Sequence, residues 1–215
     1  MKFSIKISAL AFLIVLNLII KAQQTQAYSD KDALYNAALE LLDKKLYGSV
    51  QKKFVEFANE NPNSILKSNA IFYSAACGIE LFNKDSEWMM KQFIEKNSSN
   101  LKINLAYFYL AKSNFRKKKY KETLEFFGKV DIYKLDKDQL AELYFKRGYS
   151  YLQLKDDAKA KTEFYEIKDI DNKYTFPANY YFSHLSYKEK KYEIALQGFT
   201  RLVGDKTFGS VVPYY

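Results

Sequence analysis

The chain has 215 residues, a formal charge of +9 from 34 basic and 25 acidic side chains, and 17% aromatic residues. Its single cysteine, Cys77, rules out an intramolecular disulfide, so the fold must rest on packing. There is no glycine-rich phosphate loop, no G-x-S-x-G elbow and no pair of histidines, since His184 stands alone; the sequence therefore offers no catalytic constellation, no metal ligand set and no reason to expect a cofactor.

In chain order, Lys2 and Lys6 precede an almost uninterrupted apolar run from Ile7 to Ile20, after which Thr25-Gln26-Ala27 offers small residues at the spacing a signal peptidase accepts. Residues 1–27 are expected to be a secretory signal peptide, with Ala22 as the other possible cut. Fourteen helical residues reach only about 21 Å, short of a hydrocarbon core of roughly 30 Å, although an uncleaved anchor is the alternative. Cleavage after either alanine removes Lys2, Lys6 and Lys21 and leaves 31 basic against 25 acidic residues.

A first pair of helices is visible in Leu34, Ala38, Leu41, Tyr47, Val50 and Phe54, closed by Asn61-Pro62-Asn63. From Ser64 to Ser99 the pattern is weaker. One helix is expected through Ile71, Phe72, Ala75, Ala76 and Ile79, and a second through Trp88, Met89, Phe93 and Ile94, with Ser86 as its N-cap. Cys77 falls among small residues and reads as a buried hydrophobe. Asn97-Ser98-Ser99 fits a glycosylation acceptor and is read as a helix-ending connector.

Three later stretches, Tyr107 to Val130, Tyr144 to Ile167 and Asn179 to Leu202, superimpose. Thr123, Phe127 and Val130 match Ala160, Phe164 and Ile167, and then Ala195, Phe199 and Leu202, each set spaced i, i+4, i+7 as for one helix face. Upstream, Ala111, Gly148 and Ser183 coincide where two helices must cross closely. Insertions collect in polar connectors such as Asp131 to Asp138, where a solenoid tolerates them.

The run Tyr144-Phe145-Lys146-Arg147-Gly148-Tyr149-Ser150-Tyr151, followed by Ala160 and Phe164, resembles the tetratricopeptide repeat, a helix-turn-helix unit of about 34 residues. Asn114 and Ser186 stand where that family has tyrosine, and Arg147 where it has leucine. The resemblance implies an all-α fold, a right-handed α-solenoid of about five units, one of them degenerate, over residues 28–203. Residues 204–215, with the apolar Val211, Val212, Tyr214 and Tyr215, either begin a further repeat or fold back over the last unit. The first is preferred, because the segment has no second helix to pack against.

In that family the first helices of successive units line a concave groove that holds extended or helical peptides. Carried over by position, one row of the groove holds Tyr35, Phe108, Phe145 and Tyr180, and the next holds Lys112, Tyr149 and His184. Further along come Phe115, Leu152 and Tyr187, then Arg116, Gln153 and Lys188. Aromatic side chains where a carboxylate clamp would need lysine and asparagine argue against such a clamp. The competing explanation for the rings is packing between helices. Acidic residues beside lysines read as solvated i, i+4 pairs.

Many lysines fall in turns, at Lys44-Lys45, Arg116 to Lys119, and Lys188, Lys190 and Lys191. They read as a solvated row that keeps a tyrosine-rich chain soluble, with a basic edge for anionic partners as the alternative. The expected function is a noncatalytic scaffold or adaptor that binds protein partners and not nucleic acid. It is expected to be exported to the periplasm, or the periplasmic face of the outer membrane, of a gram-negative bacterium. Peripheral envelope association, or an envelope polymer- or lipid-binding module anchored by an uncleaved N-terminal helix, is the second reading.

Overall fold

The computed structural model describes residues 32–212; the expected signal peptide and its cleavage sites lie outside the described residues. Ten helices form five consecutive hairpins among them, without a strand. They are α1 (residues 32–43), α2 (Tyr47–Glu60), α3 (Lys67–Glu80), α4 (Ser86–Lys96), α5 (Ile103–Arg116), α6 (Tyr120–Gly128), α7 (Lys137–Gln153), α8 (Asp157–Tyr165), α9 (Thr175–Lys188) and α10 (Tyr192–Thr200). The architecture is the all-α helical solenoid class expected from the repeats. The chain divides into two compact units, the first ending at Phe93 and the second starting at Ile94.

Each hairpin turns in the same way. Lys45, Phe82, Lys118, Lys155 and Lys190 all have positive φ, between 57° and 66°, and each lies two residues past the end of its hairpin's first helix. The hydrogen bonds repeat with them: the amide of Lys118 donates to Phe115 O and that of Lys119 to Asn114 O, as Lys155 does to Leu152 O and Asp156 to Tyr151 O. The same pair closes the other three turns, which makes all five Schellman motifs. Such a motif usually places glycine at the left-handed position; here four of the five residues are lysines, each carrying a steric cost of about 1–2 kcal/mol.

Seven residues before each of these turns stands a small side chain, Ala38, Ala75, Ala111, Gly148 or Ser183, and all five are buried. Gly148 shows why. A Cβ added there would lie 3.0 Å from both Glu163 Cβ and Phe164 Cε1, so α7 and α8 cross with no room for more. On the second helices, Thr123, Phe127, Ala160, Phe164, Ala195 and Phe199 are buried as their spacing requires. Val130, Ile167 and Leu202 are buried too, but they lie past the helix ends. Their amides bond three residues back, to Phe127, Phe164 and Phe199, and these tightened last turns keep the i+7 side chain over the core.

The second hairpin departs from the others because its turn is longer. α4 starts at Ser86, four residues past the left-handed Phe82, whereas the other second helices start two residues past theirs. Ser86 is therefore the first helical residue and not the N-cap, and its hydroxyl is packed against Gly78 at the helix crossing. The shift also corrects the expected core of α4: Met90 and Phe93 are buried, and Trp88 is 65% exposed.

In the second unit, α6 packs on α7 and α8 on α9, so each hairpin covers the next. α7 begins with a capping box in which Asp136 accepts from the Gln139 amide and the Gln139 side chain accepts from that of Asp136. After α10 the chain folds back. The Phe208 ring stacks on Tyr180 with centroids 5.0 Å apart, and Val212 is buried with Ala195, Phe199 and Leu202. Within the described residues, then, the segment after residue 203 lies over the last hairpin, where Tyr180 and Phe199 offer it an apolar seat.

Two stability outcomes follow from this geometry. Phe164→Ala should cost about 3–5 kcal/mol, since the ring is fully buried under Gly148; a loss below about 1 kcal/mol in a denaturant melt would remove it as an inter-helix anchor. Lys155→Gly should be more stable than Lys155→Ala by about 0.5–1 kcal/mol, because both delete the same charge and only glycine relieves the left-handed strain, less its greater freedom when unfolded. Equal melts for the two variants would refute the strain.

Candidate functional site

The first helices of the second unit, α5, α7 and α9, carry an aromatic row that crosses three hairpins. Phe115 and Tyr120 pack edge to face at 6.1 Å, and both meet Tyr149, at 5.7 and 6.2 Å. Tyr149 stacks on Phe145 and meets Tyr181 edge-on at 5.6 Å, and Tyr181 leads on to Tyr180 and, through it, to His184. Phe115, Phe145, Tyr149, Leu152, Tyr180 and His184 are all half-buried, so each packs against a neighbouring helix and leaves part of its surface to solvent. Both readings of the rings, packing and contact surface, describe the same side chains.

Two expected groove residues are core residues instead. Phe108 is 2% exposed, edge-on to Phe127 at 5.9 Å. Tyr35, in the first unit, is 6% exposed between Phe54 and Phe57; burial raises its phenol to about 12, followed by the Tyr73 phenol and against the Asn69 hydrogen bond. Each of these two rings is covered by the second helix of its own hairpin. Conversely, Tyr181, next to Tyr180, is half-buried and stacks on Phe164 at 5.2 Å, and burial raises it to about 12. Tyr174, just before α9, stacks on Phe145 at 4.8 Å. A second aromatic adjacent to the first was the available signal.

Electrostatics of this face centre on Glu142, which the sequence placed among solvated pairs. It is 8% exposed on α7 and accepts from Lys146, one turn on at 2.5 Å and 9% exposed, while Lys112 of α5 approaches it at 3.2 Å. The bridge thus ties two hairpins together. Lys146 Nζ also lies 5.4 Å over the Phe115 ring, and Lys112 Nζ 5.7 and 5.3 Å from the Phe108 and Tyr109 centroids. Burial pushes the Glu142 carboxyl up, but Lys146 and Lys112 outweigh it, and the group ends below the ordinary carboxylate value near 4.5. Arg116 closes α5 beside this cluster and adds to its positive field.

The remaining residues of the expected row lie at its far end. Tyr187, Tyr192, Leu196, Phe199, Val203 and Val212 line an apolar cleft of about 660 Å³. Lys188 is exposed and paired with Asp157 of α8. His184 is held below the ordinary imidazole value by burial and then by Lys188, against the opposing pull of Asp157. The departures from the repeat pattern have local reasons. Arg147 pairs with Glu163 across the hairpin at 2.8 Å and stacks on Tyr144, and Asn114 donates to Leu110 O at 2.8 Å. Among the described residues no group of three or more His, Cys, Asp or Glu could hold a metal, and no helix is long and apolar enough to cross a membrane.

No protein-family model and no curated relative matches this sequence. The fold does have counterparts among solved structures. A tetratricopeptide repeat protein of Parabacteroides merdae superimposes with a TM-score of 0.60 at 14% identity, over 85% of this chain and 69% of its own. PilF of Pseudomonas aeruginosa matches at 0.60 and 18% identity, over 79% and 73%. A thermophilic tetratricopeptide repeat protein of Thermus thermophilus matches at 0.50 and 15%, over 86% and 96%. The chain therefore has the fold of tetratricopeptide repeat proteins.

The Glu142 bridge is open to test. E142Q should cost about 3 kcal/mol at neutral pH by taking from the buried Lys146 ammonium the carboxylate it pairs with. Because the folded carboxyl titrates below its unfolded value, its contribution is complete above about 4.5 and is lost as pH falls further, so parent and variant should converge in acid. A gap that stays constant with pH would show that Glu142 does not act through its charge.

Proposed function

We propose that this chain is a noncatalytic scaffold whose first-helix face on α5, α7 and α9 binds an extended or helical segment of a protein partner. The observation that carries this reading is the aromatic row itself. Half-exposed rings fixed by mutual contact across three hairpins offer large apolar area at small entropic cost. The fold shared with tetratricopeptide repeat proteins supports protein binding in general terms. The apolar run Ile7 to Ile20 and the small residues that follow support export to a bacterial envelope.

The test is photo-crosslinking in a gram-negative host, with the probe at Tyr149 or Tyr180 and a control probe at the exposed Tyr165 of α8. Polypeptide adducts at the first two positions and not the third, on a chain starting near Gln23 or Tyr28, are the expected result. A synthetic peptide of the adducted segment should then bind with an affinity that high salt barely changes and Tyr149→Ala reduces at least tenfold. Adducts equally frequent at Tyr165, or binding that salt abolishes, would remove the aromatic face as the site.

A further inference from the structure

The turns raise a separate question: why lysine occupies a backbone position that glycine fills without strain. In the second unit Lys118, Lys155 and Lys190 take it in three consecutive hairpins, all exposed. Asp156, Asp157 and Glu189 lie nearby, but each is engaged by another lysine: Lys159, Lys188, and Lys161 with Lys191. Lys118, Lys119, Lys155 and Lys190 form no ion pair among the described residues. Because the turns share one hydrogen-bonding pattern, they present these ammonium groups from equivalent points of successive hairpins. Strain kept at a repeated position where a common substitution would relieve it points to a use for the side chain.

The apolar residues at these same turns narrow that use. Leu154 precedes Lys155, and Tyr187 and Tyr192 flank Lys190 and Lys191, with Tyr192 56% exposed. A purely electrostatic partner such as a soluble polyanion gives no reason for an exposed leucine and tyrosines at these turns. An anionic bilayer does, since lysines reach its phosphates while Leu and Tyr enter the interfacial layer. We propose that the hairpin-turn edge of the second unit docks on the surface of a membrane rich in anionic lipid. The three turn lysines lie beyond the ends of the first helices, so the proposal does not depend on the protein-binding reading.

The experiment is co-sedimentation of the full chain with vesicles of phosphatidylglycerol or of phosphatidylcholine, with Lys118→Gly, Lys155→Gly and Lys190→Gly combined in one variant. Glycine suits the left-handed position, so the variant should melt no lower than the parent. The parent should bind the anionic vesicles and not the neutral ones. Each lysine near an anionic surface contributes about fivefold, so the triple variant should bind roughly 100-fold more weakly. Tyr192→Ala should weaken vesicle binding as well and leave binding to inorganic polyphosphate unchanged. Equal binding by parent and triple variant, or binding to both vesicle types alike, would assign it to the apolar N-terminal run and overturn the proposal. Capture of polyphosphate with no binding to anionic vesicles would overturn it in favour of a soluble polyanion.

Discussion

The close crossing of the two helices within each hairpin is the constraint on which the rest of this molecule depends. It requires a small side chain seven residues before the turn, met by Ala38, Ala75, Ala111, Gly148 and Ser183, and at Gly148 an added Cβ would already lie 3.0 Å from Phe164 Cε1. Once the helices cross so closely, the phenylalanine of the second helix fills the angle between them, and in four of the five hairpins the chain reverses within three residues. The Schellman turn with its left-handed residue is the backbone's way of doing this while satisfying the last carbonyls of the first helix.

The same geometry divides each first helix into three parts. One side is covered by its own second helix, which takes Phe108 and Tyr35 into the core. Another faces the neighbouring hairpin and, in the second unit, hosts the Lys112, Glu142 and Lys146 bridge. What remains is the half-exposed aromatic row. The rings therefore stabilise the stack and present a surface at once, which is why counting them as either filler or contact residues misdescribes them. The turns, in contrast, project beyond all this packing and are free to carry charge.

Much of the fold was legible because the repeat signals are local. Thr123, Phe127, Ala160, Phe164, Ala195 and Phe199 announce one face of a helix by spacing alone, and that face is buried. The second hairpin was harder to read because two extra residues in its turn shift the phase of α4, so Trp88 was placed inward and Met90 overlooked. The candidate site was legible only in part. Helical periodicity places Tyr180 and Tyr181 100° apart and says nothing about which one a neighbouring hairpin will cover. Nor does an i, i+4 pair such as Glu142 and Lys146 differ in sequence from a solvated one; Lys112, 30 residues away, makes it a buried bridge.

Sequence by itself determined the number of hairpins, the small residue at each crossing and the positions of the turns, because these depend on spacings within one helix or one connector. Tertiary structure alone decided which aromatic rings are core and which are surface, that Glu142 is buried between two lysines, and that the turn lysines adopt left-handed backbone. Those outcomes depend on contacts between residues far apart in the chain, or on the path the backbone must take to make them, and no local pattern encodes either.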